Sequence, residues 1–370
     1  MSSEPLTPRC WAEIDHAALR HNLAAVRSQV GPSVKVMAVV KADAYGHGAA
    51  DVTKAIAGSV DLFGVANVTE AREAQICAPR IPVLILGPAL PEERAEIVAH
   101  GVIPLISTVE EARAFHALAG ETQVEAHLVI DTGMGRVGIW ENEALAVAAE
   151  VRKLPGLRIT GICSHLPVAD EDEAFTREQL GRFHEMVRQI RALGFEHAVI
   201  HVENSAGLIG FPAQAGDLVR AGLMLYGSSP LPEFQHRLLP VMTWKTRITL
   251  VRTAPIDHGI SYGRTYITRK PTRIATLAVG YADGYQRHLS NRGAEVLIRG
   301  HRCPVLGRIT MDQIVVDVDA LPGVAAGEEA VLMGRQGNEE ISAADLAQKS
   351  GTIPWEIFTG VGRRVARIGL

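Results

Sequence analysis

The chain has 370 residues, 47% hydrophobic and 21% charged, with a formal net charge of −4. That composition supplies a large core and excludes the broad basic field that nucleic acid or an anionic membrane surface needs. No apolar run approaches the ~20 residues of a bilayer-spanning helix, and the polar start MSSEPLTPRC lacks the apolar core of a signal peptide. A cytoplasmic location is therefore expected, and the scattered Cys10, Cys77, Cys163 and Cys303 read as free thiols.

In chain order, a short N-terminal strand within residues 1–12 is expected to pack with a C-terminal domain. Asp15–Val30 predicts a helix, with Asp15 as N-cap and Leu19, Leu23, Val26 and Val30 on one face. Short β-branched runs then alternate with amphipathic ones. The predicted strands are Val34–Val40, Leu62–Ala66, Val83–Leu86, Val102–Ile106, Val124–Ile130, Leu157–Cys163, Ala198–His201 and Leu218–Ala221. Thr108–Ala119 opens on a capping-box pattern with Glu111, and Ala174–Leu193 reads as a long charged helix. Eight strands with intervening helices predict a (β/α)8 TIM barrel over residues 13–240. Beyond a Pro-rich linker at Gly227–Pro240, alternation with Gly and Pro turns predicts a mostly β domain over residues 241–370. Its strands are expected at Thr243–Val251, Arg273–Val279, Ala294–Ile298, Cys303–Leu306, Ile314–Val318 and Ala330–Met333. The fold class is α/β.

Barrel enzymes place their chemistry at the C-terminal ends of the strands. The first strand runs into AVVKADAYGHG, so Lys41 leaves an apolar strand for a Gly-rich turn. Partial desolvation there lowers an amine's pKa and makes it a nucleophile toward an aldehyde. A lone lysine at a strand end is more often one that snorkels to solvent. Other strand ends shift the balance: Ser164 and His165 follow the sixth, Asn204, Ser205 and Gly207 the seventh, and Arg220 lies on the eighth. Ser205 and the amides near Gly222 and Leu223 could cradle a phosphate. The histidines show no metal spacing, so no metal is expected; His47 reads as structural and Gly46–Gly48 as close backbone packing.

At these residues the chain resembles the alanine racemases, fold-type III pyridoxal-phosphate enzymes. The matching pieces, in the family's order, are AVVKADAYGHG, IDTGMGRVG, Ser164–His165, ENSA, RAGLMLYG, GISYGRTY, VGYADGY and GRITMDQ. The resemblance implies pyridoxal 5'-phosphate as cofactor, held by Lys41, with Lys41 and Tyr262 as two opposed catalytic bases. Tyr262 would come from the second subunit of a homodimer with shared active sites. The resemblance also gives Tyr45, Asn204, Ser205, Gly222 and Leu223 to the cofactor and its phosphate, Arg220 to the pyridine nitrogen, and Arg136 and the partner subunit's Met311 amide to the substrate carboxylate. His165, with Arg220 behind it, would support Tyr262, and Asp312 would shape the Met311 loop. Asp170, Tyr281 and Arg308 would line the entrance. Such an enzyme would racemise a small amino acid and supply D-alanine for peptidoglycan.

Two departures stand out. Many members have HxKxDTGM with a carbamylated lysine; here the segment is HLVIDTGM, so Val129 occupies that position. Arg136 would then need another negative partner, a chloride or a nearby carboxylate. The family's Pro-Tyr-Glu run is here IPWEI, placing Trp355 at the phosphate and entrance position. An indole has one N–H donor and no acceptor, so Trp355 either lines the pocket or simply packs. These departures keep open a broad-specificity or serine-preferring racemase. A fold-type III decarboxylase would lack GISYG and MDQ, and a pyridoxal-phosphate carrier would be a barrel without the second domain.

Overall fold

The computed structural model describes residues 8–212 and 216–370. Two compact units emerge. One gathers residues 8–18, Tyr45–Gly48 and Pro240–Leu370; the other holds Leu19–Ala44 and Ala49–Leu239.

The second unit carries the barrel. After strand β1 (Cys10–Ile14) and helix α1 (His16–Val30) come β2 (Lys35–Val39), β3 (Leu62–Val65), β4 (Val83–Ile85), β5 (Leu105–Ile106), β6 (Val124–Asp131), the short β7 (Ile139–Trp140), β8 (Leu157–Cys163), β9 (Val199–His201) and β10 (Leu218–Ala221). Apart from the spur β7, these are the eight barrel strands. All their pairings are parallel, in the order β10-β2-β3-β4 and β5-β6-β8-β9. A parallel bridge from Leu84 to Ile103 joins the two runs, and the Arg220 amide donates to the Glu203 carbonyl (3.0 Å) across the other seam. Met37, Leu84, Ile103, Leu105, Val129, Cys163 and Leu218 form one buried apolar cluster. Its members come from strands and strand edges alone, which fits the filled interior of a barrel.

Local signals explain the boundaries. Asp15 caps α1 by accepting from the Ala18 amide (2.8 Å). Thr108 caps the helix Val109–Leu118, but Glu111 reaches past Thr108 to the Ser107 amide (2.7 Å). The predicted strand Val102–Ile106 shrinks to Leu105–Ile106 because Pro104 has no N–H to give a ladder. The Pro-rich linker contains a 3-10 helix, Pro232–Arg237.

The segment after β2 departs most from expectation. Instead of a glycine turn, Lys41 opens a helical turn, Lys41–Gly46, in which Ala42, Asp43, Ala44 and Tyr45 all lie at φ between 52° and 54°. Four consecutive non-glycine residues are thus left-handed, at about 1–2 kcal/mol each. Gly46 follows at φ 78°, where a Cβ would stand 2.2 Å from the Phe358 carbonyl oxygen. His47 packs its ring on Phe358, centroids 5.0 Å apart.

The first unit is a β domain. β11 (Met242–Ala254) pairs antiparallel with β1, with β14 (Thr272–Leu277) and with β18 (Glu329–Gln336). β1 also pairs parallel with β20 (Ala366–Gly369). The remaining strands are the hairpin β12 (Gly259–Ile260) and β13 (Tyr266–Ile267), then β15 (Glu295–Ile298), β16 (His301–Pro304), β17 (Ile314–Asp317) and β19 (Glu339–Ile341). Two helices join this domain: Ala343–Ser350, opened by a Ser342/Asp345 capping box, and Pro354–Gly360.

Candidate active site

Parallel strands deliver the barrel residues to one set of ends. Lys41 stands two residues past β2, and Ser164–His165 follow β8 directly. Asn204 and Ser205 follow β9, while Arg220 lies on β10 before Gly222 and Leu223. The Lys41 amine is held below its ordinary pKa, chiefly by burial and then by Arg136 and Arg220, with Glu70 opposing. A larger fraction of it is therefore neutral and nucleophilic at a given pH.

Arg220 is the hub. It is 5% exposed, and its Nη1 donates to His201 Nδ1 (2.6 Å) and the His201 carbonyl (3.0 Å). Its Nη2 donates to the Ser164 carbonyl (2.7 Å), the Val202 carbonyl (2.8 Å) and His165 Nδ1 (3.1 Å). Among the described residues, Nε–H has no hydrogen-bond partner.

A guanidinium only donates, which fixes the histidine tautomers. His201 accepts at Nδ1, so its Nε2–H donates to His127 Nδ1 (2.8 Å). His165 likewise accepts at Nδ1 and keeps an Nε2–H to offer. Burial, reinforced by Arg220, pushes His127 and His165 down to about 3 and His201 well below its ordinary value. All three are neutral imidazoles.

These groups have a stability signature. A folded-state histidine pKa below ~6.5 means that the unfolded chain takes up protons first, so stability is intact above that pH. It falls as the pH drops from there toward about 3. Urea unfolding should show this loss, and His127→Gln should flatten the slope by about one proton. An unchanged slope would remove His127 from the account.

Around the anchor, Asn204 caps the short helix Ser205–Gly210. Ser205 Oγ accepts from the Gly222 amide at 3.1 Å, which brings the two residues named for the phosphate side by side. Asp131 builds the loop that carries Arg136, accepting from the amides of Gly133, Gly135 and Arg136, each at 3.0 Å. Burial alone would raise this carboxyl, but the backbone donors outweigh it and hold it low. Val129 is buried in the apolar barrel cluster, where an isolated charge would be costly. Among the described residues no carboxylate ion-pairs with the Arg136 guanidinium. Asp170 lies exposed in the loop before the helix Glu173–Arg191.

In the β domain, Tyr262 opens a 3-10 turn, Tyr262–Arg264, right after β12 and is 70% exposed. Ser261 before it is left-handed and donates its hydroxyl to the Arg308 carbonyl (2.5 Å). Met311 is exposed, and its loop is drawn in by the Tyr281 and Ala282 amides, which donate to the Thr310 and Met311 carbonyls. Gly280 permits this approach, since a Cβ would lie 2.3 Å from both carbonyl oxygens. Tyr281 and Arg308 flank the same loop. Arg364 bridges Asp312 (2.8 Å) and the buried Asp283 (3.1 Å). Trp355 is half-buried on the helix Pro354–Gly360. Tyr45, buried within the left-handed turn, has its phenol pushed up to about 12 by burial.

Comparison with known proteins places this geometry. Residues 14–230 match the alanine racemase N-terminal domain and residues 241–369 the alanine racemase C-terminal domain. The chain belongs to the alanine racemase family. An alanine racemase of Halothermothrix orenii is 42% identical over 98% of this chain and 97% of its own length. One from Methylacidiphilum infernorum is also 42% identical, over 99% of this chain and 94% of its own. Among solved structures, alanine racemase of Clostridium difficile 630 superposes with a TM-score of 0.92 at 33% identity, covering 99% of this chain and 97% of that one. The enzyme from Streptomyces coelicolor A3(2) gives 0.90 at 37% identity, with 98% of each chain covered.

Within that family frame, the sequence reading missed His127, His201, Asp283 and Arg364. Gly161 was the available signal for the histidines. It lies on β8, between β6 and β9, and a Cβ there would stand 2.5 Å from His127 Nδ1. A glycine inside a strand marks a close approach, here an imidazole crossing one strand to reach the next.

Proposed function

We propose that this chain is a pyridoxal 5'-phosphate-dependent racemase that interconverts L- and D-alanine by a two-base mechanism. Membership of the alanine racemase family brings the cofactor class and the reaction. The observation that carries the reading at residue level is the grouping at one set of strand ends: a depressed Lys41 amine, Arg220 with both terminal nitrogens engaged, and Ser205 against the Gly222 amide.

That donor set fits the cofactor. Lys41 would take its aldehyde carbon, Arg220 Nε its ring nitrogen, and Ser205 with the Gly222 and Leu223 amides its phosphate, aided by Tyr45, Asn204 and Trp355. When bound, the cofactor supplies a sink for the electron pair released as the substrate's α C–H bond breaks. This chain's residues do the rest. Arg136 and the partner subunit's Met311 amide would fix the substrate carboxylate. Lys41 Nζ would hold or accept the α-proton on one face and the phenol oxygen of the partner subunit's Tyr262 would do so on the other. His165 Nε2–H would donate a hydrogen bond to that oxygen and orient it.

The assembly we infer is a homodimer in which residues 241–370 of each subunit complete the other's site. The location we infer is cytoplasmic; among the described residues no helix is long and apolar enough to cross a membrane. The proposed role is supply of D-alanine for peptidoglycan.

The test is optical. Purified protein loaded with cofactor should drive L-alanine to zero rotation, with serine turned over more slowly if Trp355 narrows the pocket. Retained rotation with cofactor bound would overturn the alanine assignment.

A further inference from the structure

The left-handed turn at Lys41 needs something to hold it. Alanine, aspartate and tyrosine side chains all disfavour φ near +53°, and Ala42 to Tyr45 adopt it four times in succession. Strain of this kind persists only where the surroundings over-determine it. Within the turn, the Ala44 amide donates to the Val40 carbonyl (2.9 Å) and Asp43 Oδ1 accepts from the Ala49 amide (2.7 Å). The Ala42 amide lies at the start of the turn, second after Lys41, and, like the first N–H groups of any helix, has no carbonyl within it to bond.

Glu70 supplies that acceptor from another loop. Its Oε1 accepts from the Ala42 amide at 2.9 Å and its Oε2 from the Ala66 amide at 2.8 Å. The carboxylate sits on a fixed mount, because Glu70 lies in the first turn of the helix Val68–Cys77 and its own amide donates to the N-cap Asn67 Oδ1 (3.0 Å). Capping that helix uses only Oε2; Oε1, reaching to the residue after Lys41, adds nothing to the cap. We propose that Glu70 is a positioning residue that latches the strained turn and thereby aims Lys41 at the cofactor. The inference rests on the reading that Lys41 holds the cofactor. A second observation agrees with the geometry: Glu70 is the acid whose charge reaches the Lys41 amine against Arg136 and Arg220.

The test measures covalent capture rather than turnover. Apoprotein is mixed with pyridoxal 5'-phosphate, quenched with borohydride at timed intervals, and digested to find the labelled lysine. Glu70→Ala should slow labelling of Lys41 by about tenfold or more. Adding Ala42→Gly should recover most of that loss, because glycine adopts positive φ without steric cost. The thermal midpoint lowered by loss of the Ala66 bond should not recover, which separates the latch from the helix cap. Glu70→Gln, with one carbonyl oxygen for two N–H donors, should fall between wild type and alanine. If Glu70→Ala does not fold, Glu70→Gln with and without Ala42→Gly carries the same comparison. Wild-type labelling rates in the Glu70 variants, or no gain from Ala42→Gly, would overturn the latch. Label on a lysine other than Lys41 in the wild-type chain would instead overturn the reading beneath it.

Discussion

Mixing Lys41→Ala subunits with Tyr262→Phe subunits is expected to restore an alanine racemisation that neither variant shows alone. Each substitution removes one of two proposed proton-transfer groups, and a positioned acid–base group contributes roughly 10²–10⁴-fold. Each pure variant should therefore lose at least about a hundredfold in both directions. In a mixed two-fold dimer with shared sites, one site gathers both defects and the other gathers none. If subunits reassort freely in equal amounts, half the dimers are mixed and about one quarter of all sites are intact. Recovery to about a quarter of wild-type activity is the expected result. The basis is the placement of Tyr262, 70% exposed on a strained turn that an ordered hydroxyl bond holds in shape. If each subunit's site were self-contained, no mixture would recover, and a flat titration across mixing ratios would remove the shared site.

What the sequence made legible was whatever depends on short-range pattern. Leu157–Cys163 and Leu218–Ala221 are strands at the residues predicted, because β-branched runs bounded by turn residues have little alternative. Lys41, His165, Ser205 and Arg220 were legible as strand-end residues because a barrel has a chemical end. The left-handed turn was not legible. KADAY carries no glycine before Gly46, and its alanines would read as an ordinary helix. The turn's tertiary partners include Glu70, 28 residues from the amide it receives, and a local pattern does not announce such a contact. The His127–His201 pair was hidden for a related reason. It depends on the register of three neighbouring strands and on the missing side chain of Gly161. Arg364 reaches Asp312 across 52 positions of sequence, so no local pattern announces it.

Arg220 also bears on which reaction the site performs. A guanidinium remains charged at any workable pH and has no proton to surrender, so it can only hydrogen-bond a pyridine nitrogen. With Arg220 at that nitrogen, as proposed, a bound cofactor would withdraw electrons less strongly than one protonated there, which would favour returning the α-proton to the substrate carbon. Arg220→Glu should reverse this by placing an acid beside the ring nitrogen. Racemisation should fall at least about a hundredfold, a barrier increase of about 2.7 kcal/mol. Pyruvate and the amine form of the cofactor should accumulate in equal amounts, since transamination moves the amino group from alanine to the cofactor. The substitution also removes the donor from three buried carbonyls and two imidazoles. Buried acceptors left unsatisfied cost about 1–3 kcal/mol each, so the thermal midpoint should drop as well. His165 should become more basic than about 3, because the positive charge that adds to its depression by burial is gone. Arg220→Lys is the control, since it keeps a cation at the site and puts no acid beside the ring. It should lose activity and stability but release no pyruvate above wild type. Equal pyruvate from the glutamate and lysine variants would mean that Arg220 holds the barrel ends together and leaves reaction choice to other groups.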